Sequence, residues 1–320
     1  MRGVLEALAA IVDVVLSPLT LVAALWLKTV RGVGVHRMKV ARAVMRAVGV
    51  FPVRDHYYEP LFQPGQLTRS LREVRALPAV HLDVAGQLAL LERLRYEEEL
   101  VAFPRRRPAG LGYYYDNESF GPGDAEILYA MIRHARPRRV IEIGSGRSTL
   151  MAAAAIRRNR EDDPSRACDH VCVEPYEMPW LESLGVRVVR ERVEGVAPEL
   201  FAGLGPDDLL FIDSSHVIRP QGDVVFEYLE LLPRLARGVL VHVHDITTPR
   251  DVPDDWIRER VRFWNEQYLL EAFLSFNREF RVIAALNMLK HDHFDALAAA
   301  CPVLRAEPWR EPGSFWMVRA

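Results

Sequence analysis

The sequence predicts an α/β protein: a parallel sheet covered by helices on both faces, preceded by a helical accessory region. Short apolar runs at 140–143, 171–173, 186–189, 209–212 and 239–243 alternate with segments able to form helices, which is the pattern of strands joined by crossover helices. A turn, Gly144-Ser-Gly146, follows the first run directly and opens a strong helix former, 148–156 (STLMAAAAI). The chain has 320 residues, more than the ~250–300 at which single cores stop growing, so two unequal parts are expected.

At the N-terminus, residues 14–27 (VVLSPLTLVAALWL) are almost wholly apolar. Lys28, Arg31, Arg37, Lys39, Arg42, Arg46 and Arg54 follow, and no acid reappears until Asp55. The run falls short of the roughly 20 residues that a bilayer span needs, Glu6 and Asp13 interrupt its upstream side, and Pro18 is expected to kink a helix. The two acids, with no small-residue cleavage site after the run, also argue against a secretory leader. Apolar then cationic is a membrane-surface pattern. Residues 1–54 therefore read either as an interfacial or re-entrant anchor against anionic cytoplasmic lipid, or as a helical hairpin packed on the protein or a partner subunit.

Residues 55–110 form the expected accessory region. Its polar and aromatic start, 54–59 (RDHYYE), is able to approach a pocket, and 85–101 repeats Leu88, Leu91, Leu94 and Tyr96 near helical spacing. The stretch 103–110 (FPRRRPAG) has linker composition, which sets the boundary of the third part, 111–320. There, Asp124 is placed to cap a helix over 123–136, residues 157–170 (RRNREDDPSRACDH) read as a polar inserted loop, and 280–284 and 315–318 supply two late strands.

A hydrophobic share of 50%, with 26% charged residues, excludes a wholly disordered chain and a multi-span membrane protein. The formal net charge of −2 announces no nucleic-acid partner. Cys168, Cys172 and Cys301 are an odd set without a metal-type pair, which fits a reduced, cytoplasmic compartment.

The chemistry-bearing residues fall at the carboxyl ends of the expected strands, where α/β sheets bind ligands. Gly144 and Gly146 allow a ligand close to the backbone, and the helix after them offers unpaired N–H groups to an anion. Glu174, closing the second strand, is placed to accept hydrogen bonds from ribose hydroxyls. Asp213 and His216 follow the strand at 209–212, and His244 and Asp245 follow the one at 239–243, so these four side chains are expected to converge.

Taken in order, Glu142-x-Gly-x-Gly146, Glu174, the segment 212–216 (IDSSH) and His244-Asp245 resemble class I S-adenosylmethionine-dependent methyltransferases. The likeness is to the bacterial subgroup with a D-x-S-H motif after strand four and His-Asp closing strand five, and it covers roughly residue 120 to the C-terminus. It implies a Rossmann-like, doubly wound seven-stranded sheet with an antiparallel last strand, and S-adenosyl-L-methionine as cofactor. By the resemblance and by position, Glu142, Gly144, Ser145, Gly146, Arg147 and Ser148 would hold the methionine end, Glu174 the ribose, and Asp213 the region beside the sulfonium. Some relatives add a divalent cation such as Mg²⁺. The matching acids are Asp213 and Asp245, with His244 standing where a further acid would be.

Methyl transfer to a hydroxyl needs a base, and His216 and His244, with Asp213 beside them, are the catalytic candidates because an imidazole titrates near neutral pH. His216 is preferred because it lies beyond its strand. Tyr113 to Tyr115 and 264–268 (WNEQY) are candidate lid groups. The expected acceptor is a small molecule, glycan or lipid with a free hydroxyl, and the expected location is cytoplasmic, peripheral at the inner face of the membrane, with an oligomer left open. Two rivals stand beside this reading. One is a nicotinamide-dependent oxidoreductase, against which Thr149 occupies the third glycine position of the dinucleotide motif. The other is a membrane-associated binding protein without chemistry.

Overall fold

The structure, a computed structural model, describes residues 2–320 other than Phe62 and Glu177. Packing divides it into two compact units, 1–68 and 69–320.

In the first unit, helix α1 (Arg2–Val33) runs unbroken for 32 residues and carries Pro18 inside it. Proline removes the donor that would serve the carbonyl four residues back, Val14 O. The Ser17 hydroxyl donates to that oxygen at 2.9 Å, so the freed carbonyl stays satisfied and the helix continues. The helix thus continues past Pro18, and no re-entrant turn interrupts the segment. Within its apolar part, Gly3–Val33, an 18-residue window has a mean hydropathy of 2.3 and is unburied; at ~1.5 Å per residue the 31-residue stretch exceeds the ~30 Å hydrocarbon core of a bilayer. Length and composition of this kind are shared by membrane spans and by export leaders. Helix α2 (Lys39–Val48) follows, closed by left-handed Gly49, whose N–H returns to Met45 O. Glu59 gathers Arg31 and Arg54, while Tyr57 and Tyr58 are exposed.

The second unit is built on a seven-stranded sheet in the order β3-β2-β1-β4-β5-β7-β6. The strands are β1 (Arg139–Ile143), β2 (Asp169–Val173), β3 (Arg187–Val189), β4 (Leu209–Ile212), β5 (Leu240–Val243), β6 (Phe280–Ala285) and β7 (Phe315–Arg319). β1 to β5 run parallel and β7 pairs antiparallel with both β5 and β6. All seven lie on the expected apolar runs, and the last is antiparallel as the resemblance implied. β1 and β4 are buried from Val140 and Leu209 onward because helices cover both faces.

Helices α3 (Val84–Arg93) and α4 (Glu97–Val101) bring Leu90, Leu91, Leu94 and Leu100 into the same core as the sheet. α5 (Asp124–Ala135) is buried almost throughout. Asp124 does not cap it: its carboxylate accepts the N–H groups of Gly313 and Ser314 at 3.0 and 2.7 Å, fixing the approach to β7. α6 (Arg147–Asp162) takes in the first part, 157–162, of the polar stretch read as an inserted loop. Its last turns are a solvated helix face tied by Arg158 to Asp162, and Asn159 faces inward, where it donates to Ile132 O at 2.8 Å. Shorter helices complete the layer: α7 (Glu199–Ala202), α8 (Asp223–Phe226), α9 (Asp254–Arg258), α10 (Glu266–Leu274), α11 (Leu286–Asp292), α12 (Phe294–Ala300) and α13 (Pro302–Ala306).

Candidate active site

The carboxyl ends of β1, β2 and β4 enclose a cleft of about 260 Å³ lined by Gly144, Glu174, Tyr176, Val193 and Asp213, among others. Two backbone bonds fix its floor, Gly144 N–H to Val173 O at 3.0 Å and Asp213 N–H to Ile143 O at 2.8 Å. Gly144 sits at φ +75, and a Cβ there would fall 1.8 Å from Asp213 O, so the close approach of the β1 and β4 ends forbids any side chain. Gly146 differs. Its φ of −173 suits any residue and a Cβ would meet nothing nearer than Met178 Cε at 3.9 Å, so the protein itself leaves that space open.

The residues named for the methionine end divide into two groups. Glu142 and Ser148 are buried and do not line the cleft. Glu142 accepts from Ser148 Oγ at 3.2 Å and Thr149 Oγ1 at 3.1 Å, and its other oxygen meets His170 Nε2, so this carboxylate anchors the start of α6 from beneath. Ser145 and Arg147 are half-buried and do not line the cleft either: the Ser145 hydroxyl is buried, and the Arg147 guanidinium lies 5.1 Å from the Tyr114 ring centre. Glu174 lies on the cleft wall and is shaped by its own loop: it accepts Ser145 N–H at 3.1 Å and Tyr176 N–H at 2.9 Å. Arg192 and Glu194 also line the cleft. Sequence reasoning passed over them because they follow the short β3, though lying past a strand's carboxyl end was the available signal.

At the ends of β4 and β5 the four expected side chains do meet. His216 Nε2 lies 3.2 Å from Asp213 Oδ1 and 3.7 Å from Asp245 Oδ2, and His244 Nε2 lies 3.6 Å from Asp245 Oδ1. His216 and Asp245 both adopt left-handed backbone, φ +60 and +57, which is uncommon outside glycine and is a form of strain stored at sites. The ligand atoms of Asp213, His216 and Asp245 lie within 4.8 Å of one another, close enough to share one cation.

A fifth group escaped the sequence reading. Glu266, at the start of α10, accepts from His216 Nδ1 at 2.8 Å and from the Tyr228 hydroxyl at 3.0 Å, and is buried. It had been grouped with the lid because only the tertiary fold brings it beneath His216. Charge coupling in this cluster is strong. Burial opposes charge on His216, but its bonds to Asp213 and Glu266 outweigh that and hold its pKa well above 6.5. Burial likewise opposes charge on His244, and Asp245 and Asp213 raise its pKa on balance. Asp213 is pushed up by burial, yet the His244 and His216 imidazoles hold it at about 2. His242, deeper in β5, is driven well below 6.5 by burial and by His244, and bonds Ser314 Oγ at 2.9 Å. The imidazole that the sequence offers as a base near neutral pH therefore has its titration moved upward by its two carboxylate partners.

The candidate lids separate. Tyr113 and Tyr115 are core residues whose hydroxyls donate to Phe120 O and Leu100 O. Trp264 lies against His216, ring centres 4.3 Å apart.

Residues 141–246, running from β1 past the end of β5, match the family model described as a methyltransferase domain. The chain is 30% identical over 148 residues to an uncharacterized protein of Archaeoglobus fulgidus, an alignment covering 43% of this chain and spanning 65% of that relative's length. Among solved structures it is similar to an O-methyltransferase from Bacillus cereus in complex with SAH, at 13% identity and a TM-score of 0.35, covering 73% of this chain and 91% of that one. It is also similar to a structure described as cmcI-D160 Mg-SAM, at 16% identity and a TM-score of 0.35, covering 80% and 98%. The family match covers about a third of the chain, so it is the segment 141–246 that is similar to a methyltransferase domain, and it spans the first five strands of the sheet.

Proposed function

We propose that the protein transfers the methyl group of S-adenosylmethionine to a hydroxyl of a small molecule, with His216 as the base. The observation that carries this is the double position of Asp213: it lines the cleft beside Gly144 and Glu174 and also bonds His216 at 3.2 Å, which sets a proton acceptor at the edge of the nucleoside site. The cleft fits the cofactor in kind. It has an acid on the wall for ribose hydroxyls, and two residues beyond Gly144 of its lining stands an open glycine, Gly146, next to the N-terminus of α6, where N–H groups suit a carboxylate.

When bound, S-adenosylmethionine supplies an electrophilic methyl on a sulfonium and departs as a neutral thioether. The chain's residues do the rest. Glu266 accepts the Nδ1 proton of His216 and so aims Nε2 toward Asp213 and Asp245. As the acceptor oxygen forms its bond to the methyl carbon, the hydroxyl proton passes to Nε2 of neutral His216, and Asp213 and Asp245 stabilise the imidazolium that results. His244, buried behind Asp245, tunes the cluster's charge.

A second reading of the same cluster is favoured by the 4.8 Å span of its ligand atoms: Asp213, Asp245 and His216 would hold a divalent cation, with Mg²⁺ preferring the carboxylates. Chelator separates the two, since only the cation reading expects activity to vanish with it. We further assign the acceptor to sugars, glycolipids or small metabolites, residues 1–54 to attachment at the inner membrane face, 55–110 to accessory packing and 111–320 to catalysis. The length and unburied apolar surface of α1 support attachment.

The test is to incubate the protein and its His216→Gln variant with methyl-labelled cofactor and fractionated cell extract. Label is expected in a small-molecule or lipid fraction with the wild-type protein only. Equal label with the variant removes His216 as base, and label in none of the fractions overturns the methyltransferase reading.

A further inference from the structure

Beyond His216, the loop between α9 and α10 holds a cation with no evident partner. Arg262 lies over the Trp264 ring, 3.9 Å from its centre, and 5.1 Å from that of Trp256. The two indoles meet edge to face at 4.8 Å, and Trp264 in turn touches the His216 ring. The Arg262 backbone N–H returns to Trp256 O at 2.8 Å, which closes the loop on itself. The residue before it, Val261, is held at φ +50, a conformation that β-branched residues avoid, so the loop accepts strain to present the next side chain.

The guanidinium makes no ion pair or hydrogen bond among the described residues. Its neighbours are otherwise engaged: Asp255 pairs with Arg260 at 3.1 Å, and Arg258 with Asp254 at 3.0 Å. Asp245 is the one site acid whose charge acts on it, without forming an ion pair with it among the described residues. Burial, and the like charge of Arg260, depress the Arg262 pKa against the smaller pull of Asp245 and Asp255. Stacked arginines are preorganised for planar, two-pronged recognition of carboxylate or phosphate.

We propose that Arg262 is the acceptor's anion-reading residue, so that the molecule methylated here carries a carboxylate or phosphate within about one ring's breadth of the reacting hydroxyl. This rests on the methyltransferase reading. Trp264 braces both ends of the arrangement, His216 for the hydroxyl and Arg262 for the charge, and the indole's rigidity fixes the spacing between them.

Binding to the protein saturated with S-adenosylhomocysteine tests it, using two matched pairs: 3,4-dihydroxybenzoate against 3,4-dihydroxybenzyl alcohol, and glucose 6-phosphate against glucose. The charged member of at least one pair is expected to bind about tenfold tighter or more. Arg262→Met should erase that preference while leaving the neutral member and S-adenosylhomocysteine bound as before, and Arg262→Lys should retain part of it. Should Arg262→Met fail to fold, Arg262→Gln and the loss of wild-type preference with rising salt carry the same test. Equal binding of charged and neutral members, no binding of either charged member, or a preference that survives loss of Arg262 overturns the proposal. S-adenosylhomocysteine bound normally with no charge preference sinks this inference alone. If S-adenosylhomocysteine does not bind, it is the cofactor reading that fails.

Discussion

The two halves of the cleft's edge are built differently. At the ends of β1 and β2 the acids are held by fixed hydrogen-bond partners: Glu142, beneath the cleft, by Ser148, Thr149 and His170, and Glu174, on its wall, by the amides of its own loop. At the ends of β4 and β5 charge faces charge, with Asp213 and Asp245 against His216 and His244, and Glu266 behind. The first half is a rigid mould whose failures are steric. The second is a set of coupled titrating groups whose failures show in rate and pH.

That contrast is broken most severely at Gly144. Alanine there must displace the Asp213 carbonyl from a 1.8 Å overlap, so Gly144→Ala is expected to abolish S-adenosylhomocysteine binding and to destabilise the fold by several kcal/mol, on the order of 3 or more, read by calorimetry and thermal melting. His216→Gln acts on the other half: the turnover rate should fall by roughly 10²–10⁴, the usual worth of a positioned base, with cofactor affinity unchanged. Loss of affinity in step with rate would mean that the halves are not separable.

The pH profile sharpens the contrast. His216 has its pKa raised, so it keeps its proton to higher pH than a free imidazole and its basic form grows as pH rises. The rate should therefore climb above neutral pH. Glu266→Gln keeps the shape but removes the charge that favours the imidazolium, so the climb should move to lower pH, and the plateau rate should fall by about tenfold as Nε2 loses its aim. An unchanged profile would show that Glu266 only packs. The smallest effect is expected at Glu142→Gln, which keeps acceptors for Ser148 and Thr149: roughly 1–3 kcal/mol of stability and little change in rate.

The same contrast explains what the sequence made legible. Period and composition located all seven strands, and because parallel strands deliver their carboxyl ends to one edge, Asp213, His216, His244 and Asp245 could be brought together without coordinates. Gly144 was recognisable as obligatory, and to its positive φ and its place on the cleft the structure adds the close approach of the neighbouring strand end. Three features lay outside that logic. Glu266 reaches His216 only through the packing of α10. Residues 157–162 looked like a loop because a solvated helix end and a polar loop share a composition. The helix of α1 passes Pro18 because Ser17 takes over a carbonyl, a local repair that hydropathy does not register.

The central claim is that the cleft at Gly144, Glu174 and Asp213 is a nucleoside site for S-adenosylmethionine. Titration calorimetry of S-adenosylhomocysteine and of NAD against the wild-type protein and Glu174→Ala tests it most directly. The account expects S-adenosylhomocysteine to bind the wild type, NAD not to bind, and Glu174→Ala to weaken the former by about tenfold or more, the cost of losing charge-assisted bonds to the ribose hydroxyls. Binding of NAD in preference, or S-adenosylhomocysteine affinity indifferent to Glu174, would contradict it.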